Sequence, residues 1–193
     1  MEYCNRCGQR TEARIPAGED RPRRVCTACS AIHYENPRMI VGCIVLDESQ
    51  RVLLCKRAIE PRRGYWTLPA GFLELGESAM AGALRETHEE AGARARIVAP
   101  YAHFDVPHIG QAYILYRAAL LSPRFTPGPE SLEAALVDFD AIPWQELAFP
   151  VVRHALELLR EDLASGRFRS HQGSLVREQG GVVLRDHLAV MLG

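Results

Sequence analysis

With 193 residues, 23 basic and 24 acidic side chains and a formal net charge of -1, the chain can bury one good core and a small stapled module, and it carries no global field for nucleic acid or an anionic membrane. No apolar run is long enough to span a bilayer: Met39 to Leu46 is among the longest, and Met1 to Arg24 lacks a signal-peptide core, so a cytoplasmic protein is expected. Lys56 is the only lysine, which disfavours Schiff-base chemistry and leaves carboxylates, metals or both.

The first element is a pair of cysteine knuckles, Cys4-Asn-Arg-Cys7 and Cys26-Thr-Ala-Cys29, separated by eighteen residues. This is zinc-ribbon spacing: four thiolates close a tetrahedral site, leave no position for water, and staple a segment too poor in apolar residues to fold unaided. Zn2+ is therefore expected as a structural ion, on a domain spanning 1–35. Six arginines against five acids in this stretch, with only Tyr3 and Tyr34 as aromatics, make a poor nucleic-acid footprint. Cys43 and Cys55 sit in apolar runs and read as buried thiols.

After Asn36-Pro37 the pattern changes. Met39–Leu46 and Arg51–Lys56 read as strands joined by a polar turn, Trp66-Thr-Leu-Pro-Ala-Gly71 leads into a Gly-rich loop, and 78–91 has helical periodicity with Met80, Ala83, Leu84, Thr87 and Ala91 on one side. Strands are predicted over 96–103, 111–121 and 134–139, a short helix from Pro143, and an amphipathic helix over 151–163. Beyond Gly166 the pattern is weak, and 166–193 is taken as a C-terminal extension to a catalytic domain at 36–165.

The chemistry-bearing string is Gly71-x5-Glu77-x7-Arg85-Glu86-x2-Glu89-Glu90-x-Gly92. Glu86 and Glu90 are i and i+4, and Glu89 is i+3 from Glu86, so all three carboxylates leave one side of the helix. Such crowding destabilises a free helix and makes sense where hard divalent cations sit. Arg85 can pair with a neighbouring acid such as Glu77.

This full string resembles the signature of the Nudix hydrolase family, with Thr87 and Ala93 replacing residues that the family usually makes bulky and aliphatic. The resemblance implies an α+β protein, an α/β/α sandwich with a mixed sheet behind the small ribbon, that hydrolyses nucleoside diphosphates linked to another group. It implies catalytic roles for Glu86, Glu89, Glu90 and Arg85, and Mg2+ or Mn2+ on Glu86, Glu89, Glu90 and the Ala70 carbonyl. Glu130 corresponds to an extra metal-binding acid, with Glu133 in reserve. A homodimer acting on a small-molecule dinucleotide is also implied.

A zinc ribbon ahead of this box resembles the bacterial NADH pyrophosphatases, yet their downstream SQPWPFP-like sequence is replaced by Tyr101-Ala-His-Phe-Asp-Val-Pro107-His-Ile-Gly-Gln111-Ala-Tyr113. Asn36-Pro37, Leu53–Arg57, Trp66–Gly71, Pro107–Gln111 and Pro127–Glu133 are similar to plant chloroplast Nudix enzymes that hydrolyse FAD and ADP-ribose. FAD is therefore the expected substrate and ADP-ribose the second, with NADH or NAD-capped RNA as the alternative. A ribbon that binds nucleic acid behind a vestigial box is the alternative of a different class. Trp66, Phe104, Gln111 and Tyr113 are the expected substrate contacts.

Overall fold

The computed structural model describes residues 1–191. The chain divides into two compact units, Met1–Asn36 and Pro37–Gly193.

The first unit is a three-stranded antiparallel sheet, β1 (Thr11–Arg14), β2 (Arg23–Cys26) and β3 (Ile32–His33), in that order. Each knuckle closes with an amide returned to its first cysteine: Gly8 N–H donates to the Cys4 carbonyl at 2.8 Å and Ser30 N–H to that of Cys26 at 3.2 Å. Both donors have positive φ, 74° and 58°. Gly8 adopts this freely, whereas Ser30 bears it at some cost that the knuckle must offset. The buried residues of this unit are Cys4, Val25, Cys26 and His33. That is too little apolar surface to hold some thirty residues without a cross-link.

The second unit is a nine-stranded mixed sheet between two helices. Its strands are β4 (Arg38–Leu46), β5 (Val52–Arg57), β6 (Trp66–Thr67), β7 (Ala70–Phe72), β8 (Ala95–Val106), β9 (Gln111–Leu120), β10 (Ser131–Val137), β11 (Arg169–Glu178) and β12 (Gly181–Met191). The order is β10-β5-β4-β9-β8-β11-β12, with β6 on β5 and β7 on β4. β4 runs parallel to β9, and β8 to β11; the other pairs are antiparallel.

Helix α1 (Ala79–Ala91) starts where Ser78 accepts from the Ala81 amide at 3.2 Å and stops at Gly92, whose left-handed φ of 60° lets its N–H reach the His88 carbonyl. It buries Ala83, Thr87 and Ala91 on a cluster with Val41, Cys43, Val45, Leu53 and Cys55. Thr87 stands where an aliphatic residue would pack, and its hydroxyl is satisfied by the Ala83 carbonyl at 2.8 Å. Met80, expected on the packed side, is half exposed. Helix α2 (Pro150–Ser165) covers the other face, against Ile44, Val52, Leu54, Tyr101, Phe104 and Leu115. No helix among the described residues is long and apolar enough to cross a membrane.

Two features position the site. First, β4 and β5 pair only at Leu46↔Val52 and then diverge; β7 pairs with β4 at residues 40–42 and β6 with β5 at 55–56, so the sheet forks. Gly42 makes room for the crossing chain, since a β-carbon there would run into Ala70 and the Pro69 carbonyl.

Second, the segment taken as a C-terminal extension holds the hairpin β11–β12, added to the sheet beside β8. Its inward positions include His171 and Gly173 before Leu175, so the apolar alternation of a strand was illegible. The hairpin is tied to α2 through Asp162, which is fully buried. It accepts from Arg169 Nε at 2.7 Å and from the Arg169 amide at 3.1 Å, and faces His171 Nε2 at 3.0 Å; His171 Nδ1 in turn faces His187 at 3.0 Å. Burial pushes the Asp162 carboxyl up, but these donors outweigh it and hold it below the usual carboxylate range. Asp162→Ala leaves Arg169 and His171 without their acceptor and should cost about 3–5 kcal/mol in denaturant unfolding. A loss under about 1 kcal/mol would remove the network from the account of stability.

Candidate active site

The Gly71–Gly92 loop and helix place three of the expected acids on one cavity, and the loop before β10 adds a fourth. Its volume is about 840 Å3, and Glu86, Glu89, Glu90 and Glu130 line it together with Ala70, Arg57, Gln111 and Tyr113. That volume suits a dinucleotide.

Each acid is held by a specific device. Arg85 is the hub: its Nη1 donates to Glu86 at 2.7 Å and Glu89 at 2.8 Å, and its Nε and Nη2 hold Glu77 at 3.1 and 2.9 Å. The Glu77 carboxyl is accordingly depressed to about 2, chiefly by Arg85. Glu77 also accepts from the Glu74 amide at 2.9 Å, closing the turn before the helix. Gly71 is required because a β-carbon there would occupy the place of the Glu86 carboxylate. Gly128 lies against the Glu89 carbonyl where no side chain fits, and its N–H caps the Glu90 carbonyl at 3.0 Å. This docks the loop before β10 on the end of α1 and delivers Glu130, whose carbonyl accepts from Ala58 at 2.8 Å.

Glu90 is 6% exposed. Its hydrogen-bond partner is the Ala70 amide at 3.1 Å. Burial, opposed by that amide and reinforced by Glu86 and Glu130, pushes its carboxyl up to about 8. Glu86 is raised as well, chiefly by burial. Partly buried carboxylates converging without enough protein cations fit a hard divalent ion, which takes oxygen ligands and leaves room for phosphate oxygens. Ala70 was expected to supply its carbonyl to a metal; the contact found is its N–H, which donates to Glu90.

The raised Glu90 has a consequence for stability. Its folded value of about 8 lies above its ordinary 4.5, so the metal-free fold retains a proton that the unfolded chain releases. That contribution is present below pH 4.5 and is lost as the pH rises toward about 8. A divalent cation held by Glu90 would replace the proton. The rise in Tm on adding Mg2+ or Mn2+ to chelator-treated protein should therefore grow across this window; a rise independent of pH would take Glu90 out of the metal site.

The substrate contacts divide. Gln111 and Tyr113 line the cavity, with the Tyr113 hydroxyl donating to Gln111 at 3.1 Å. Phe104 does not: it is fully buried in the core against α2, which corrects its expectation as a substrate contact. Trp66 also lies outside the lining; it packs at the core edge with the Lys56 ammonium 5.5 Å over its ring. Glu133, on β10, pairs in register with Lys56 of β5, off the cavity. Missing from the expectations were Arg57, Phe72, Ile109 and Phe149, all on the lining. Arg57 and Ile109 lie in the resembling segments Leu53–Arg57 and Pro107–Gln111 without having been singled out, and Phe149 precedes Pro150, where α2 starts.

In the four-cysteine cluster, the sulfurs lie within 4.8 Å of one another. Closest separations are 3.4 Å for Cys7–Cys26, 3.5 Å for Cys7–Cys29 and 3.8 Å for Cys4–Cys29. Tetrahedral zinc with sulfur at about 2.3 Å requires about 3.8 Å between sulfurs, so the cluster fits. The Cys29 and Ala28 amides pull the Cys26 thiol down to about 6, favouring the thiolate that a metal needs.

The NUDIX domain family matches residues 36–160, and the zinc-ribbon family described as Nudix N-terminal matches residues 2–35. The chain belongs to the Nudix family. A NUDIX hydrolase from Nitrosomonas europaea, known from its crystal structure, is 48% identical, with a TM-score of 0.86 over 91% of this chain and 99% of that one. Among curated Nudix relatives, a mitochondrial NAD(P)H pyrophosphatase of Homo sapiens is 29% identical over 146 residues, 74% of this chain and 38% of that protein. An NAD-capped RNA hydrolase of Stutzerimonas stutzeri is 29% identical over 157 residues, 81% and 55% respectively. The chain thus spans only 38% and 55% of the lengths of these two relatives. Both relatives are named for NAD(P)H or an NAD cap, and neither for the FAD expected here from sequence.

Proposed function

We propose that the chain is a divalent-metal pyrophosphatase that hydrolyses the diphosphate of a dinucleotide, with NADH or an NAD cap ahead of FAD and ADP-ribose, working as the homodimer that its sequence resemblance implies. The observation that carries the reading is the convergence of Glu86, Glu89, Glu90 and Glu130 at a cavity of about 840 Å3 that also holds Arg57, Gln111 and Tyr113. Glu86, Glu90 and Glu130 would hold Mg2+ or Mn2+, which when bound neutralises the diphosphate and makes its water acidic enough to attack phosphorus.

The chain's own groups do the rest. Glu89 has the most exposed side chain of the three box acids, at 56%, against 13% for Glu86. It is best placed to orient the water and take its proton. Arg85 keeps Glu86 and Glu89 apart and aimed, and Arg57 adds positive charge at the cavity for the phosphates. Structural zinc on Cys4, Cys7, Cys26 and Cys29 belongs to the same reading.

A panel of NADH, FAD, ADP-ribose and NAD-capped RNA with Mg2+ or Mn2+ tests it. NADH should yield AMP and the reduced nicotinamide mononucleotide. NADH left intact while another dinucleotide turns over sinks the substrate, and an intact panel sinks the reading as a whole.

A further inference from the structure

Next to the main cavity lies a smaller one of about 70 Å3, lined by Val106, His108, Ile109, Tyr113, Phe149, Pro150, Val151, Leu175 and Val182. Four of these, Ile109, Tyr113, Phe149 and Val151, line both cavities. The small cavity is therefore an annex of the substrate site. Its side chains are apolar apart from His108 and the Tyr113 hydroxyl, and the latter is already engaged by Gln111. A water has about 30 Å3 of liquid to itself, so the annex has room for a pair of methyl groups or a ring edge and not for a whole base.

Its closing wall comes from the hairpin. Leu175 of β11 and Val182 of β12 lie beyond residue 160, where the NUDIX domain match ends. The wall is fixed in place: β11 pairs with β8 from His171↔Ala102 to Ser174↔Asp105, His154 Nε2 lies 3.3 Å from the Val182 carbonyl, and Asp162 ties α2 to Arg169 and His171. At Gly173 a side chain would meet Leu184 and the Arg185 carbonyl, so the glycine lets β12 close over β11.

The placement fits one end of a dinucleotide. Gly71, against Glu86, is on β7, and the register Phe72↔Ile40↔Tyr113↔Phe104↔Gly173 counts four strand steps from there to β11. At about 4.8 Å per step, Tyr113 stands roughly 10 Å across the sheet from the acids and the hairpin roughly 19 Å. A diphosphate held by the acids thus reaches the annex with the ring of its second moiety.

We propose that this annex is a subsite for the apolar edge of a fused ring on that second moiety, such as the dimethyl edge of a flavin, and that Val182 and Leu175, as its closing wall, let the site accept such a ring in addition to the smaller, amide-bearing nicotinamide. The inference rests on diphosphate hydrolysis at the acid cluster. It adds an element, supplied from outside the family-matched segment, that extends the substrate range toward FAD.

The test is Val182→Phe, which fills the annex while leaving the backbone carbonyl to His154. Steady-state kcat/KM is measured with FAD, NADH and ADP-ribose, the last lacking any ring in this place. The expected result is a loss of about tenfold or more for FAD, with ADP-ribose within about twofold of wild type. Equal losses on FAD and ADP-ribose, or no loss on FAD, overturn the proposal. Val182→Leu, a milder filling, gives the same ordering should the phenylalanine variant fold poorly. Equilibrium titration of flavin fluorescence in chelator reads the annex without turnover: weaker FAD binding by the variant supports it and unchanged binding refutes it. A protein that binds FAD through the annex but cleaves no dinucleotide would sink the proposed function alone.

Discussion

Glu90→Gln is expected to lower kcat/KM by about a thousandfold or more and to leave the metal-free protein as stable as wild type, or more so, at pH 8. On the proposed function, the loss follows from removing a charged ligand from the ion that would neutralise the diphosphate, an effect of several kcal/mol in the transition state. The gain follows from burial. Glu90 is 6% exposed, and its carboxyl is pushed up to about 8, so ionising it at alkaline pH costs the fold on the order of a few kcal/mol. Glutamine keeps the shape and the carbonyl that accepts from the Ala70 amide, and carries no charge. Kinetics on the best dinucleotide and thermal melts in chelator read the two effects separately. Turnover close to wild type would refute the ligand assignment, and a lowered Tm would mean that Glu90 supports the fold in its charged form.

Removing zinc is expected to unfold Met1–Asn36 outright. The buried residues of that unit are two cysteines, a valine and a histidine, and structural zinc supplies roughly 10–16 kcal/mol in sites of this kind. Metal analysis should find one tightly held zinc per chain, lost in Cys4→Ser or Cys26→Ser. Amide signals of 1–36 should collapse to unfolded positions, while those of Pro37–Gly193, which has two apolar clusters of its own, stay dispersed. A zinc-free chain with an ordered ribbon would overturn the structural role.

The sequence showed the chemistry more clearly than the cavity. Acids at 86, 89 and 90 share a helical side whatever packs around them, and cysteine pairs at ribbon spacing imply a tetrahedral site before any fold is known. Substrate contacts depend on how distant strands lie side by side, which local spacing does not encode. Phe104 and Tyr113 are register partners, yet one is sealed beneath α2 and the other borders the cavity. Irregular registers between Ile97 and Ala99 and between Pro100 and Ala102 shift the alternation of β8, so which side its aromatics face could not be counted along the chain. The hairpin was hidden for a different reason: its central inward residues, His171 and Gly173, serve a buried ion network and a close strand crossing, not an apolar face.

The forked sheet separates two kinds of evolutionary change. Because β4 and β5 part after a single pair, the acids on α1 reach the cavity from one face while Phe149, Val151 and the hairpin-lined annex meet it from the other. Residues on the α2 face can vary in size and polarity without disturbing the Arg85-centred acid cluster. Loss of the cluster spares the ring pocket in the same way. A chain built like this can change its preferred substrate by a few substitutions on one face while its hydrolytic step is inherited unaltered on the other.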